Sequence, residues 1–111
     1  MICDPFDVVE VPFPFSDRNQ AKTRKALVLS NHAYNETNSA AVMMMITSAH
    51  AGEWLGDIPL SGWQSAGLKK PCVARIKLFT LDNALILGKV GSLTQPDRKA
   101  VIKSLKATLP G

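Results

Sequence analysis

Three groups of side chains in this sequence could do chemistry. The first is a dense basic cluster, Lys22, Arg24 and Lys25, which closes a polar stretch and runs straight into the apolar segment Ala26 to Ser30. The second is Thr47, Ser48 and His50 at the end of another apolar segment, where hydroxyls that donate or accept sit beside an imidazole that titrates near neutral pH. The third is the alternating segment Cys72 to Leu81: Val73, Arg75 and Lys77 point one way while Cys72, Ala74, Ile76 and Leu78 point the other. Guanidinium groups make paired hydrogen bonds to phosphate oxygens, so clustered cations suit a phosphate backbone. Trp54 and Trp63 add aromatic faces of the kind on which single-strand binders stack bases. Each group also has a plainer reading. Arg24 could pair on the surface with Asp17 or Glu10, and Thr47 could satisfy backbone groups at a strand end. His50 reads as a surface-loop residue, Arg75 and Lys77 as snorkelling cations, and at least one tryptophan as core or dimer packing.

The 111 residues are the length of one domain, 1–111, able to bury a core without disulfides or metals. Hydrophobic residues make up 46% and charged residues 20%, which excludes a disordered chain on composition. A net charge of +4 suits an acidic partner, although many basic domains bind no nucleic acid. Cys3 and Cys72 form neither a disulfide framework nor a metal-ligand spacing, so no metal and no cofactor is expected. Cys3, Asp4 and Pro5 precede any apolar run, and no run is long enough to cross a bilayer; a cytoplasmic protein without membrane association is the expectation.

The elements that must position these groups are mostly strands. Phe6 to Phe13 reads as a strand that Pro12 and Pro14 terminate, and Pro14 to Arg24 as an exposed connection. Ala26 to Ser30 and Ala41 to Thr47 read as core strands bounded by turn-formers Asn31, Asn35, Asn38 and Ser39, with Met43, Met44 and Met45 filling core gaps. A Gly- and Trp-bearing excursion from Ala51 to Gly67 holds at most a short strand at Asp57 to Leu60. Cys72 to Leu81 and Ala84 to Leu93 are expected to form a hairpin through Asp82 and Asn83. The one convincing helix starts near Thr94, where Thr94 and Asp97 suggest a capping box, and shows an apolar stripe of Val101, Ile102, Leu105 and Leu109 opposite Lys99, Lys103 and Lys106. The pattern is mainly β with an added helix, a bent sheet or small barrel.

Several segments occur in the order seen in PemK/MazF toxins, and together they span nearly the whole chain. They are Asp7 to Phe13 with its Pro-Phe-Ser-Asp loop, Lys22-x-Arg24-x-Ala26-Leu27-Val28-Leu29-Ser30, Ile46-Thr47-Ser48, Ala66-Gly67-Leu68, Cys72 to Leu81, and Gly91-x-Leu93 followed by a helix. The sequence resembles that family. The resemblance implies an SH3-like barrel of the CcdB/PemK/MazF type with a C-terminal α-helix, a homodimer, and an endoribonuclease that cleaves single-stranded RNA without metal and is restrained by a cognate antitoxin. It maps the catalytic pair onto Arg24 and Thr47 and a phosphate contact onto Lys77; Lys22, Lys25, Ser48 and Arg75 complete the expected RNA-binding set. The sequence departs from the family pattern at Lys25, where proline usually follows the arginine, at Phe6, where glycine usually precedes the strand's Asp, and in the first loop, which lacks the family's usual glycine.

Metal-free cleavage of RNA needs its own ribose hydroxyl to attack the neighbouring phosphorus, with proton transfers and positive charge on the developing phosphorane. One well-placed donor of this kind is worth about 3 to 4 kcal/mol. The resemblance gives the acid and base roles to Arg24; by residue type His50 is the alternative base, because guanidinium is very hard to deprotonate. The other expectations for the same fold are a barrel that binds protein without catalysis, and a homologue that binds RNA yet turns over poorly.

Overall fold

The structure is a computed structural model that describes residues 1–12 and 22–111. The strand end from Phe13 and the polar connection as far as Ala21 lie outside the described residues. Among them, six strands form one antiparallel sheet: β1 (Asp7–Pro12), β2 (Thr23–Val28), β3 (Ala40–Ser48), β4 (Ile58–Pro59), β5 (Cys72–Asp82) and β6 (Gly88–Ser92). The strand order is β4-β5-β3-β2-β1-β6. Two helices accompany it, α1 (His32–Asn38) and α2 (Gln95–Thr108).

The central strands carry unbroken apolar runs, Ala26 to Val28 in β2 and Ala40 to Ile46 in β3, because both faces of the sheet are covered there. Val8, Leu27, Met44 and Ile46 face one cluster, with Ala74, Leu68, Leu93 and Val101 of α2. Val9, Val11, Ala26, Val28 and Met43 face the other, with Cys3, Leu81 and Ile86. Burial of each such side chain stabilises by about 1.5 to 3 kcal/mol, so alternate residues along one strand hold two separate cores together. Met43 and Met44 are both fully buried, one in each cluster, as the gap-filling reading requires.

Three local expectations are corrected. Cys72 to Leu81 and Ala84 to Leu93 do not form a hairpin: β5 pairs with β3 and β4, while β6 lies at the opposite edge of the sheet, paired with β1. Asn83 is not a hairpin turn residue. Its backbone N–H donates to Ser39 O and its side-chain amide to Asn35 O, so the chain is anchored against α1 and carried across to the far edge. The capping box at α2 does not form either; Thr94 makes no side-chain cap bond. Asp97, 2% exposed, accepts instead from the Ser61 N–H and hydroxyl and the Gly62 N–H at 2.9 to 3.1 Å, tying the excursion to the helix. The Asn- and Ser-bearing stretch taken for a turn is α1, with Asn31 capping the Tyr34 N–H and a fully buried Asn35 donating to Cys3 O and Ser30 O. Of the stripe on α2, Val101 is buried, while Ile102 and Leu109 are about 40% exposed.

The sheet curls until residues following β4, at one edge, meet β6 at the other. Val8 pairs with Gly91 and Val9 with Lys89, which leaves Val90 as a bulge residue that bends the strand. Against that bulge lies Ala66-Gly67: a Cβ on Gly67 would fall 2.4 Å from Val90 O, and one on Gly91 would fall 2.3 Å from Ala66 O. The motifs Ala66-Gly67-Leu68 and Gly91-x-Leu93 are therefore two halves of one backbone contact. Gly91→Ala should lower stability by about 1 to 3 kcal/mol through forced separation of that contact, read as a shift in urea midpoint at unchanged slope. Asp97→Ala, which strands two backbone N–H groups, should cost about 2 to 3 kcal/mol in the same assay, and Asp97→Asn less.

Candidate active site

Strand period and register place the expected residues on one face. Lys25 pairs with Ile46, so the next rung brings Arg24 opposite Thr47. Met45 pairs with Arg75, and the register then jumps so that Met44 pairs with Leu78. Two residues, Ile76 and Lys77, are thus extra on β5, and an even insertion preserves the alternation of faces. Arg24, Met45, Thr47, Arg75 and Lys77 accordingly share one end of one face.

Two adjoining recesses open there. One, of about 230 Å³, is lined by Thr23, Arg24, Lys25, Ile46, Thr47, Ser48, Lys70 and Cys72. The second, of about 370 Å³, is lined by Arg24, Met45, Thr47, Ser48, Ala51, Arg75 and Lys77. Arg24, Thr47 and Ser48 line both, so the two side chains expected to act together border a common space. Thr47 is half-buried and Arg24 exposed. Lys22 is exposed and lines neither recess.

Glu10, one carboxylate expected as a surface partner for Arg24, accepts from the Thr23 hydroxyl and pairs with Lys25 at 3.9 Å. Asp17, the other, lies outside the described residues. Lys25 is held in the ladder on both sides, opposite Glu10 and opposite Ile46. Ser48 Oγ accepts from the His50 N–H at 3.2 Å; His50 itself is exposed and lines neither recess.

Arg75 departs from its expected environment. Only 9% exposed, it donates from Nε and Nη2 to the two Asp57 oxygens at 3.1 and 2.9 Å and from Nη2 to Gly52 O at 2.9 Å. Three of its five N–H donors are therefore engaged, and the Asp57 hydrogen bonds push its pKa further up from an already high value. Lys77 stays exposed, with Nζ 4.6 Å from the Trp54 ring centroid. The two tryptophans also part company: Trp63 packs partly buried against the α2-side core, whereas Trp54 is 43% exposed.

Reading the sequence alone missed Lys70 and Cys72 as lining residues. The pair Lys69-Lys70, just before a strand of alternating cations, was the available signal. Cys72 carries no nucleophile signal, because burial pushes its thiol up from the ordinary value despite the lowering effect of Lys70 and Lys25. Among the described residues, no three His, Cys, Asp or Glu side chains cluster in a way that could hold a metal ion, and no helix is long and apolar enough to cross a membrane.

Solved structures share this fold. MazE-MazF from Deinococcus radiodurans matches 99% of this chain and 97% of its own with a TM-score of 0.77 at 20% identity. An endoribonuclease in complex with its cognate antitoxin from a mycobacterial species matches 96% of this chain and 91% of its own, TM-score 0.72, at 13% identity. The Mycobacterium tuberculosis toxin MazF-mt6 matches 91% and 93%, TM-score 0.71, at 16% identity. No curated protein matches the sequence significantly. The mainly β barrel-like sheet with its C-terminal helix is thus the fold expected from the sequence. Residues 4–109 match the family described as PemK-like, MazF-like toxin of type II toxin-antitoxin system, and the chain belongs to that family.

Proposed function

We propose that this chain is an endoribonuclease toxin that cleaves single-stranded RNA, mRNA in the cell, selectively by sequence and without a metal, and that a cognate antitoxin restrains it. The observation that carries the reading is the meeting of Arg24 and Thr47, from neighbouring strands, at one recess. Membership in a toxin family and the likeness to an endoribonuclease bound to its antitoxin support it. A homodimer is proposed on the same resemblance.

In this reading the ribose O2′ bonds to the adjacent phosphorus as the bond to O5′ breaks, giving a cyclic phosphate on one product and a free hydroxyl on the other. Arg24 donates to the non-bridging oxygens as negative charge gathers there, and the Thr47 hydroxyl fixes the phosphate in line. The resemblance assigns the proton transfers to Arg24. His50 lines neither recess, and this reading gives it no part in them. Lys25, Ser48 and Lys70 along one recess and Lys77 along the other offer contacts to flanking phosphates, with Lys22 outside them. Arg75, expected to touch RNA, is here a positioning residue that acts through Asp57 and the loop it holds.

Purified protein with a mixed RNA should yield mapped ends carrying cyclic phosphate and 5′-hydroxyl, at a rate unchanged by EDTA; loss of activity on chelation would overturn the metal-free mechanism. Arg24→Ala should lower kcat by about 10²- to 10³-fold. Thr47→Ala should lower it by about tenfold, equivalent to ~1.4 kcal/mol. His50→Gln should stay near wild type, and a loss matching that of Arg24→Ala would move the base to His50.

A further inference from the structure

Resting on the RNA-cleavage reading, we propose that Trp54 is a stacking platform for a nucleobase of the substrate next to the scissile phosphate, and hence a determinant of which sequence is cut. The platform is built rather than incidental. Residues Trp54 to Asp57 close a tight turn, with the Asp57 N–H donating to Trp54 O at 3.1 Å and Gly56 at φ +94° in the position that favours glycine. Four further bonds pin this loop: Ser104 Oγ of α2 donates to Gly56 O, and Arg75 donates twice to Asp57 and once to the Gly52 carbonyl. The indole itself is not packed into either core. It lies over two cations of β5, Arg75 at 5.5 Å and Lys77 at 4.6 Å from the ring centroid, and keeps 43% of its surface open.

The position of these cations links the platform to the reactive recess. Arg75 and Lys77 line the same space as Arg24 and Thr47, so one strand carries the ring at one side and borders the scissile linkage at the other. Beside the ring is a recess of about 450 Å³ lined by Gly52 to Asp57, with room for a planar base. A base stacked there would keep its own phosphate within the field of Lys77. Stacking on an aromatic face is tolerant of base identity, so the rigid turn, with its backbone carbonyls and Glu53 at the recess, supplies the discrimination.

Fluorescence anisotropy with a 2′-O-methyl oligoribonucleotide spanning the mapped cleavage motif, which binds but cannot react, measures the contact apart from catalysis. Trp54→Leu, which fills space without a π face, should weaken binding about tenfold or more and broaden the set of cleaved sequences, while Trp54→Phe should retain most affinity and the wild-type motif. Binding should quench tryptophan emission in wild type and in Trp63→Phe but not in Trp54→Phe. If wild type binds and cuts RNA while Trp54→Leu does so with unchanged affinity and motif, the platform is wrong and the nuclease stands. If wild type neither binds nor cuts RNA, both fall. Weakened antitoxin binding by Trp54→Leu with RNA affinity intact would make the ring a protein-docking residue and overturn the proposal.

Discussion

The backbone of Ala66-Gly67 lies against that of Val90-Gly91 with no space for a Cβ between them, and the rest of the architecture follows from that approach. A six-stranded antiparallel sheet left open would expose an edge at β4 and another at β6, both short and both templates for association. The Ala66-Gly67 segment that follows β4 instead lies against β6, and the curl encloses the core under α2. It also explains why β6 must cross to the far edge rather than fold back on β5. A turn at Asn83 that paired β5 with β6 would put both strands on the same side and leave nothing to close the curl.

Closure makes the start of β2 and the end of β3 one rim, and the candidate site sits on it. Two of the departures from the family pattern are intelligible in these terms. Where proline usually stiffens the residue after the arginine, Lys25 has β1 on one side and β3 on the other, so pairing fixes its backbone and Glu10 holds its side chain. Where glycine is usual, Phe6 adopts φ +70°, in a turn of Asp4 to Asp7 closed by the Asp7 N–H and Asp4 O. A left-handed conformation costs an ordinary residue about 1 to 2 kcal/mol. Several contacts offset it: the Phe6 N–H donates to Val28 O, its carbonyl accepts from Leu93, and its ring packs on the core beneath Arg98.

The strands were legible because burial on both faces leaves apolar runs such as Ala26-Leu27-Val28 and Ala41 to Ile46, and alternation in Cys72 to Ile76 gave the site its facing. That Arg24 and Thr47 form a pair was legible only through the family resemblance, since a cation before a strand and a threonine at the end of another carry no register by themselves. What escaped was what depends on distant partners. α1 is short and polar, and its stability comes from a buried amide bonding to Cys3 and Ser30 across the fold. Asp97 has the spacing of a capping box yet serves Ser61 and Gly62, 36 and 35 positions away, a pairing that only the tertiary fold creates.

Arg75 shows how a correct facing can accompany a different role. The alternation placed it beside Lys77, but burial changes what a guanidinium can do. An ion pair removed from water contributes little net stability, since desolvation offsets attraction; what it fixes is geometry. Here the planar fork meets both oxygens of Asp57 and a carbonyl of the same loop, so the loop is tied to β5 at two points. Lys77, one turn of the alternation further, stays exposed, with its Nζ over the Trp54 ring. Two cations on one strand face thus differ by their distance from solvent: the buried one ties the loop to the sheet, and the open one stays at the surface beside the Trp54 ring.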